Sequence, residues 1–181
     1  MQDGWYYNMA VTISGSDGGA AVTTTTQKIL QVVQSVKTDT ASVGGATFAD
    51  VGLSASITPS SSSSKILVQV QASTGSTVGY SMKTRLMRGS TAIHIGDAAG
   101  NRPRASTENT GIYASTSNLS SFPVSIIFLD SPSTTSAVTY KVQYASYGTN
   151  TVYINRTGSD SNTSEYDART ASSITLMEVE S

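Results

Sequence analysis

His94 is the chain's single histidine, and a nucleophile–base mechanism would have to use it. An imidazole is the usual base that activates a serine, and it must lie within hydrogen-bond reach of that serine and of a carboxylate. His94 lies between Ile93 and Ile95 in a short apolar segment, and no G-x-S-x-G turn is present to hold a serine. One histidine without cysteine also supplies too few ligands for a typical zinc site. We therefore expect a histidine on a strand surface or at an interface, and a protein that is not an enzyme.

The segment GSDSNTSEYDART is the second place where the residue types suggest chemistry. Asp160, Asn162 and Ser164 alternate as the oxygen ligands of a calcium loop do, but the central glycine and the glutamate at the twelfth place of such a loop are missing. A glycosidase would need two carboxyl groups roughly 5–10 Å apart in a cleft, and nothing in the spacing of Glu108 and Glu165 favours one. We expect a solvated loop here, with calcium as the alternative, and no cofactor.

The composition excludes several classes of protein. The net charge is −1 and the 11 lysines and arginines are scattered, so there is no basic patch for nucleic acid. No apolar run reaches the roughly 18 residues that span a bilayer, and the N-terminus lacks the features of a secretory signal. Serine (31) and threonine (25) are abundant, whereas charged residues make up only 13% of the chain. A surface of hydroxyl groups with few charges resists association poorly, so we expect an oligomer or a place on a larger assembly.

Strand signals recur along most of the chain, separated by turn-forming residues. The pattern predicts strands at residues 29–36, 47–51, 53–58, 65–72, 80–88, 92–95, 112–114, 124–129, 139–147, 152–155 and 173–179. Five consecutive serines, Ser60 to Ser64, lie between two of these segments and are interpreted as a strand connection rather than a linker between domains. The sequence therefore predicts one all-β sandwich over residues 29–181 with almost no helix.

Residues 1–28 differ from this pattern and are predicted to form an extended N-terminal arm. The arm contains Trp5, Tyr6 and Tyr7, an aromatic cluster that is costly to leave in water. We expect these three residues to anchor the arm on a neighbouring subunit or partner. A disordered tail is the alternative, and Met9 is a candidate for the natural start.

Two predicted strands are apolar on both faces. In residues 124–129, Ile127 and Leu129 oppose the side chains of Val124, Ile126 and Phe128, and near the C-terminus Met177 and Val179 oppose Ile174 and Leu176. A strand that is apolar on both faces is covered on both. In a sandwich without helices, the expected cover is another copy of the chain, in a homo-oligomer of cyclic symmetry. Ile127, Leu129, Met177 and Val179 are the interface candidates, and the alternative is that the chain's own loops cover them.

Several segments resemble a family of bacteriophage virion proteins frequent among phages of aquatic bacteria, cyanophages in particular. These segments are ILQVVQSVKTDT, ADVGLSASITPSSSSSKILVQV, LMRGSTAIHIGDAAGNR, FLDSPSTTSAVTYKVQY, TVYINRT and ASSITLMEV, which occur in this order over residues 29–179. The resemblance implies a jelly-roll sandwich similar to C1q and tumour-necrosis-factor modules, assembled as a homotrimer. It brings no enzymatic motif with it. Modules of this kind are found as decoration proteins on capsids and at the tips of tail fibres.

The resemblance and the arm together lead to a functional expectation. A short arm without a fibre shaft suits a trimeric decoration or cement protein that binds the outside of a phage capsid, made in the host cytoplasm and located on the virion. The partners would be other copies of the chain and the major capsid protein or another virion protein. The alternative is a tail-fibre tip that recognises host-surface glycan through loops at residues 98–108 and 158–169. Arg102 and Arg104 in the first of these loops also suit an acidic partner.

Overall fold

A computed structural model describes residues 27–77, 81–110, 119 and 121–181 of the chain. The described part consists of strands and loops and contains no helix, as the sequence predicts. Its strands are β1 (Ile29–Lys37), β2 (Ala41–Gly44), β3 (Ala49–Ile57), β4 (Lys65–Ser76), β5 (Ser81–Arg88), β6 (Thr91–Ile93), β7 (Thr107–Thr110), β8 (Ser121–Asp130), β9 (Val138–Ala145), β10 (Thr151–Ile154) and β11 (Ser172–Val179).

The strands form two antiparallel sheets that face each other as a β-sandwich. Four strands of sheet A lie in the order β1-β11-β4-β8. The C-terminal end of β4 also pairs with β10, and β10 pairs in turn with β2. Sheet B runs β3-β9-β5, and both β6 and β7 pair with the remaining edge of β5. Because side chains alternate across a strand, each sheet contributes every second residue to the space between the sheets.

The core between the sheets is continuous and is built from these alternating residues. In β4 and β11 every second side chain, from Ile66 to Ala72 and from Ile174 to Leu176, is buried. Sheet B contributes the fully buried rings of Tyr140 and Tyr144. The alternating pattern predicted for these strands is therefore confirmed, with Ile174 and Leu176 on the inner side of β11.

A buried ion pair connects the two sheets at one end of the core. Arg88 of β5 donates to both carboxylate oxygens of Asp130 in β8 at 3.0 Å, and the Tyr140 hydroxyl of β9 donates to the same carboxylate at 2.6 Å. Burial, together with its bond to Asp130, raises the pKa of Tyr140. Removing Arg88 would leave the buried carboxylate of Asp130 without its opposite charge, so we assign this cluster a role in stability.

The predicted strand boundaries differ from the structure in several places, and β4 ends four residues later and β8 begins three residues earlier than predicted. The two strands predicted at 47–51 and 53–58 are one strand, β3, which passes through Gly52 with a φ of 77° and a shift in its pairing with β9. β2 and β7 were not predicted, since short polar strands carry little periodic signal. The predicted strand at 112–114 and most of the predicted arm lie outside the described residues.

Candidate interaction surface

The outer side of sheet A carries an apolar surface that crosses its four long strands. One row across β1, β11, β4 and β8 consists, in register, of Val32, Met177, Leu67 and Leu129. We call the surface around this row the apolar face, whose members are Ile29, Val32, Val36, Leu67, Ile127, Leu129, Met177 and Val179. Lys65, at one end of β4, is the charged residue on this side of the four strands, all of which are described.

The four residues predicted as interface candidates all belong to the apolar face. Ile127 is 61% exposed and Leu129 is 44% exposed, while Met177 and Val179 are half-buried. Their neighbours Val36 and Ile29 are also more than half exposed. The alternative, that the chain's own loops cover these side chains, does not apply to Ile127 within the described part of the chain. Their part in an interface stays a prediction.

The loop between β10 and β11 covers the far end of this side of sheet A. At Gly75 of β4 an added Cβ would lie 2.2 Å from the backbone oxygen of Arg156, so the loop crosses directly over that glycine. The base of the loop is closed by Asn155, whose side-chain amide donates to the carbonyls of Lys37 and Asp39 and accepts a bond from Ser172. On the outer side of sheet A, the loop therefore covers one end, and the apolar face occupies the exposed remainder.

The acidic residues of this loop are held by partners within it. Asp160 pairs with Arg156 at 3.1 Å and with Arg169 at 2.6 Å. Asp167 accepts hydrogen bonds from Ser161 and Thr157, and these bonds lower its pKa. No group of three or more histidine, cysteine, aspartate or glutamate side chains suited to a metal ion occurs among the described residues.

A polar cavity of about 300 Å³ nevertheless opens in the same loop. Its lining consists of Asp160, Ser161, Asn162, Thr163, Asp167, Ala168 and Arg169. Hydroxyl, amide and charged groups in a concave site are the groups that orient a polar ligand. The cavity is therefore a polar concave surface whose charged groups Asp160, Asp167 and Arg169 already have partners within the loop.

The outer side of sheet B has the opposite character. Lys141 pairs with Asp50 at 2.7 Å, and Lys83 lies 3.9 Å from Glu108. Arg85 projects from the middle strand with its guanidinium 3.8 Å from the ring centre of a phenylalanine. Charged side chains in water keep this side soluble, so the apolar face is specific to sheet A.

His94 does not lie in a catalytic arrangement. The residue is exposed immediately after β6, with a φ of 50°, and its ring centre lies 4.8 Å from that of Phe128. It makes no hydrogen bond to a serine or a carboxylate within the part of the chain that the structure describes. The position on the surface beside sheet A agrees with the expected surface histidine.

The serine run has a structural role that the sequence did not reveal. It joins β3 to β4, as predicted, and it surrounds the fully buried carboxylate of Glu178. Ser60 donates its backbone N–H at 2.7 Å and its hydroxyl at 2.6 Å, and Gln31 donates at 2.6 Å. Burial opposes the charged form, but the bonds from Ser60, Gln31 and Ser64 outweigh burial and lower the pKa of Glu178 to about 2. An inward glutamate in a strand indicates that its carboxylate has hydrogen-bond donors around it, but the sequence does not indicate which residues supply them.

Comparison with known proteins assigns no family to the chain. No protein-family model matches the sequence, and no curated protein matches it. The described residues contain no helix with the length and hydropathy needed to cross a membrane. The anchoring candidates Trp5, Tyr6 and Tyr7 lie outside the described residues.

Proposed function

We propose that this chain is a non-enzymatic structural protein that assembles through the apolar face into a homotrimer. The observation that carries the proposal is the row of apolar side chains from Val32 to Leu129, which crosses four strands without a charge. Burying a large apolar side chain contributes roughly 1.5–3 kcal/mol, so covering several of them supports a stable assembly. Exposed apolar patches of this kind mark interaction sites in soluble proteins.

The strand order supports the jelly-roll similar to C1q and tumour-necrosis-factor modules. The orders β1-β11-β4-β8 and β3-β9-β5-β7 place the first and last strands side by side, and the runs β3, β4, β5 and β7, β8, β9 alternate between the two sheets. This order agrees with the fold that the sequence resemblance implies. The same resemblance supports three subunits rather than two.

The trimer is tested by the mass of the purified chain in solution. Multi-angle light scattering at micromolar concentration should give about three times the 18.8 kDa of one chain. A monomer at that concentration would remove the basis of the proposal. A dimer would retain the apolar face as an interface but contradict the jelly-roll trimer.

We place this trimer on the outer surface of a phage capsid as a decoration or cement protein. Three arms in each trimer would contact neighbouring capsid subunits, so that weak contacts combine into strong binding. Trp5, Tyr6 and Tyr7 are the proposed anchors, because aromatic side chains are enriched among residues that dominate binding. The placement rests on the resemblance of residues 29–179 to phage virion proteins.

The arm is tested by replacing its aromatic residues in the full chain. Changing Trp5, Tyr6 and Tyr7 together to alanine should leave the trimer intact and reduce capsid occupancy at least roughly tenfold. A matched control replaces Thr24, Thr25 and Thr26 by alanine in the same arm, with unchanged occupancy expected. Equal occupancy of the aromatic variant and the control would contradict the capsid assignment.

The cavity in the β10–β11 loop favours one alternative, a tail-fibre tip that binds host-surface glycan. The lining groups Asn162, Thr163 and Arg169 offer the donors and acceptors that a sugar needs. A glycan array with the purified trimer would detect this activity, and Asn162→Ala should abolish the signal. In electron micrographs of the particle, labelled protein on the capsid shell would support the decoration role. Labelled protein at the ends of the tail fibres would support the alternative.

A further inference from the structure

Three arginines, one on sheet B and two in the loop beside it, form no ion pair with a carboxylate of the described residues. The ion pairs among the described residues involve the cations of Lys37, Lys83, Arg88, Lys141, Arg156 and Arg169. Arg85, Arg102 and Arg104 take part in none of them. Arg85 projects outward from β5 of sheet B, and the other two lie in the loop between β6 and β7, which pair with the same edge of β5.

Hydrogen bonds hold this loop against sheet B. The loop is closed by a bond from the backbone N–H of Gly96 to the carbonyl of Ala105 at 3.2 Å. Arg104 donates its Nε to the Gly96 carbonyl at 2.6 Å, and Arg85 donates Nε and Nη2 to the Arg104 carbonyl at 3.1 and 2.7 Å. These bonds use only some of the guanidinium N–H groups, since each guanidinium carries several. The remaining N–H groups of the three guanidinium groups are the donors that a ligand would bind.

A second stacked arginine in the same chain shows what Arg85 lacks. Arg156 lies 3.6 Å from the ring centre of Tyr153 and pairs with Asp160, whereas Arg85 lies 3.8 Å from the ring centre of Phe48 and pairs with no carboxylate. Partial burial, and then the positive charge of Arg104, lower the pKa of Arg85. Neighbouring positive charges repel each other, and a bound anionic ligand would offset this repulsion between Arg85 and Arg104.

We propose that Arg85, Arg102 and Arg104 form a docking surface for an acidic protein partner that presents aspartate and glutamate side chains. Arginine binds carboxylates with paired hydrogen bonds and is enriched at protein interfaces. The arginines lie on an exposed sheet side and loop, which suits a broad protein surface, whereas small ligands need concave sites. The surface lies on the sheet opposite the apolar face, so the inference does not depend on the proposed trimer.

The proposal is tested with a fluorescent poly-L-glutamate chain titrated with the purified full-length protein at low salt. Fluorescence anisotropy should show binding that weakens as salt is added, because the contacts are between charges. The double variant Arg85→Gln, Arg104→Gln should weaken binding at least roughly tenfold. Lys28→Gln is the matched control, because Lys28 is an exposed cation that takes part in no ion pair of the described residues, and its affinity should stay within roughly twofold.

Two further measurements keep the result decisive. If the double variant melts earlier than the parent chain, Arg102→Glu replaces it, since the Arg102 side chain donates a hydrogen bond to the Ala99 carbonyl of its own loop and takes part in no ion pair of the described residues. That variant should also bind roughly tenfold more weakly. Equal binding by the arginine variants and the Lys28 control would overturn the proposal. Tighter binding to alginate, a polyuronate of similar charge, than to poly-L-glutamate would assign the surface to an acidic polysaccharide and overturn it as well.

Discussion

The outer sides of the two sheets differ in what they present to the surroundings. On sheet A the four long strands carry the apolar face, and their outward charge is Lys65. On sheet B the corresponding side carries the Lys141–Asp50 and Lys83–Glu108 pairs and the unpaired Arg85. Both sheets bury their inner sides in one core, so the difference lies only in the outward residues.

This difference indicates that the two sides have different neighbours. An outward apolar row is costly in water and gains free energy only when it is covered. Outward ion pairs gain little but keep a surface soluble and shape which partners approach it. Sheet A is therefore the side that we expect to meet other copies of the chain, and sheet B the side that we expect to remain accessible.

A charge introduced on the apolar face should have the largest effect. Ile127→Lys would bury one ammonium group in each proposed interface, and an unpaired buried charge costs several kcal/mol. We expect the association constant to fall at least roughly a thousandfold, while the melting temperature of the separate chain changes little because Ile127 is 61% exposed. Sedimentation velocity and light scattering measure the assembly directly.

The matched control places the same charge on the other sheet. Ser54 is an exposed residue of β3 on the outer side of sheet B, and Ser54→Lys should leave the assembly unchanged. A trimer that persists in Ile127→Lys would show that the apolar face is not the interface. Dissociation of the Ser54 variant would reverse the assignment of the two sides.

Replacing a glycine by alanine should cost more stability at Gly75, beneath the β10–β11 loop, than at Gly96, in the β6–β7 loop. Gly75→Ala places a Cβ 2.2 Å from the Arg156 carbonyl oxygen, so the β10–β11 loop must move. We expect a loss of about 3 kcal/mol in the free energy of unfolding, or roughly 6–12 °C in melting temperature. The added methyl group of Gly96→Ala, in the β6–β7 loop, meets no atom within 4 Å. This variant should change the free energy of unfolding by less than about 1 kcal/mol. Similar losses in thermal unfolding for both variants would argue against the close crossing at Gly75.

Acid should destabilise the fold through Glu178 of sheet A more than through the charges of sheet B. The pKa of Glu178 falls from 4.5 to about 2 on folding, so its contribution is complete above pH 4.5 and is lost as the pH falls towards 2. At pH 7, Glu178→Gln should cost about 2 kcal/mol, since it removes charged hydrogen bonds. The gap between the parent chain and this variant should narrow between pH 4.5 and 2 in urea unfolding. A gap that does not change with pH would contradict the ionised state of Glu178.

The smallest expected effect belongs to the exposed ion pair on sheet B. The pKa of Asp50 is lowered mainly by its bond to Lys141, so the sign of its pH dependence is the same as for Glu178. Because the Asp50 side chain is about half exposed, solvent screens the pair, and Asp50→Asn should cost less than about 1 kcal/mol at pH 7. A loss as large as that of Glu178→Gln in the same urea titration would contradict the contrast between the two carboxylates.

Most of the sandwich could be predicted from local alternation, and the exceptions have physical causes. Strand β3 was divided in two at Gly52, because a bulge with positive φ resembles a turn in sequence. Strand β7 consists of polar residues, so its place in sheet B depends on pairing with β5, from which β6 and a loop separate it in sequence. Sequence adjacency carries no information about such a partner.

The candidate sites also include features that local sequence predicts and features that it does not. The position of Ile127 and of Met177 on the strand face opposite Ile126 and Leu176 follows from counting alternate residues, so these two members of the apolar face could be predicted. The contact between Ser60 and Glu178 joins residues 118 positions apart, and the meeting of Arg85 with Arg104 depends on how one loop folds over β5. Neither contact has a local pattern that could have predicted it.

The sequence alone determined the β class of this protein and the alternation of side chains along its principal strands, because strand alternation is a local property of the chain. The tertiary structure decided which outward residues become neighbours. Pairing of β1, β11, β4 and β8 turned separate apolar residues into one face, and the β6–β7 loop brought arginines together on the other. Such neighbours are set by strand order and loop paths, which involve residues distant in the chain.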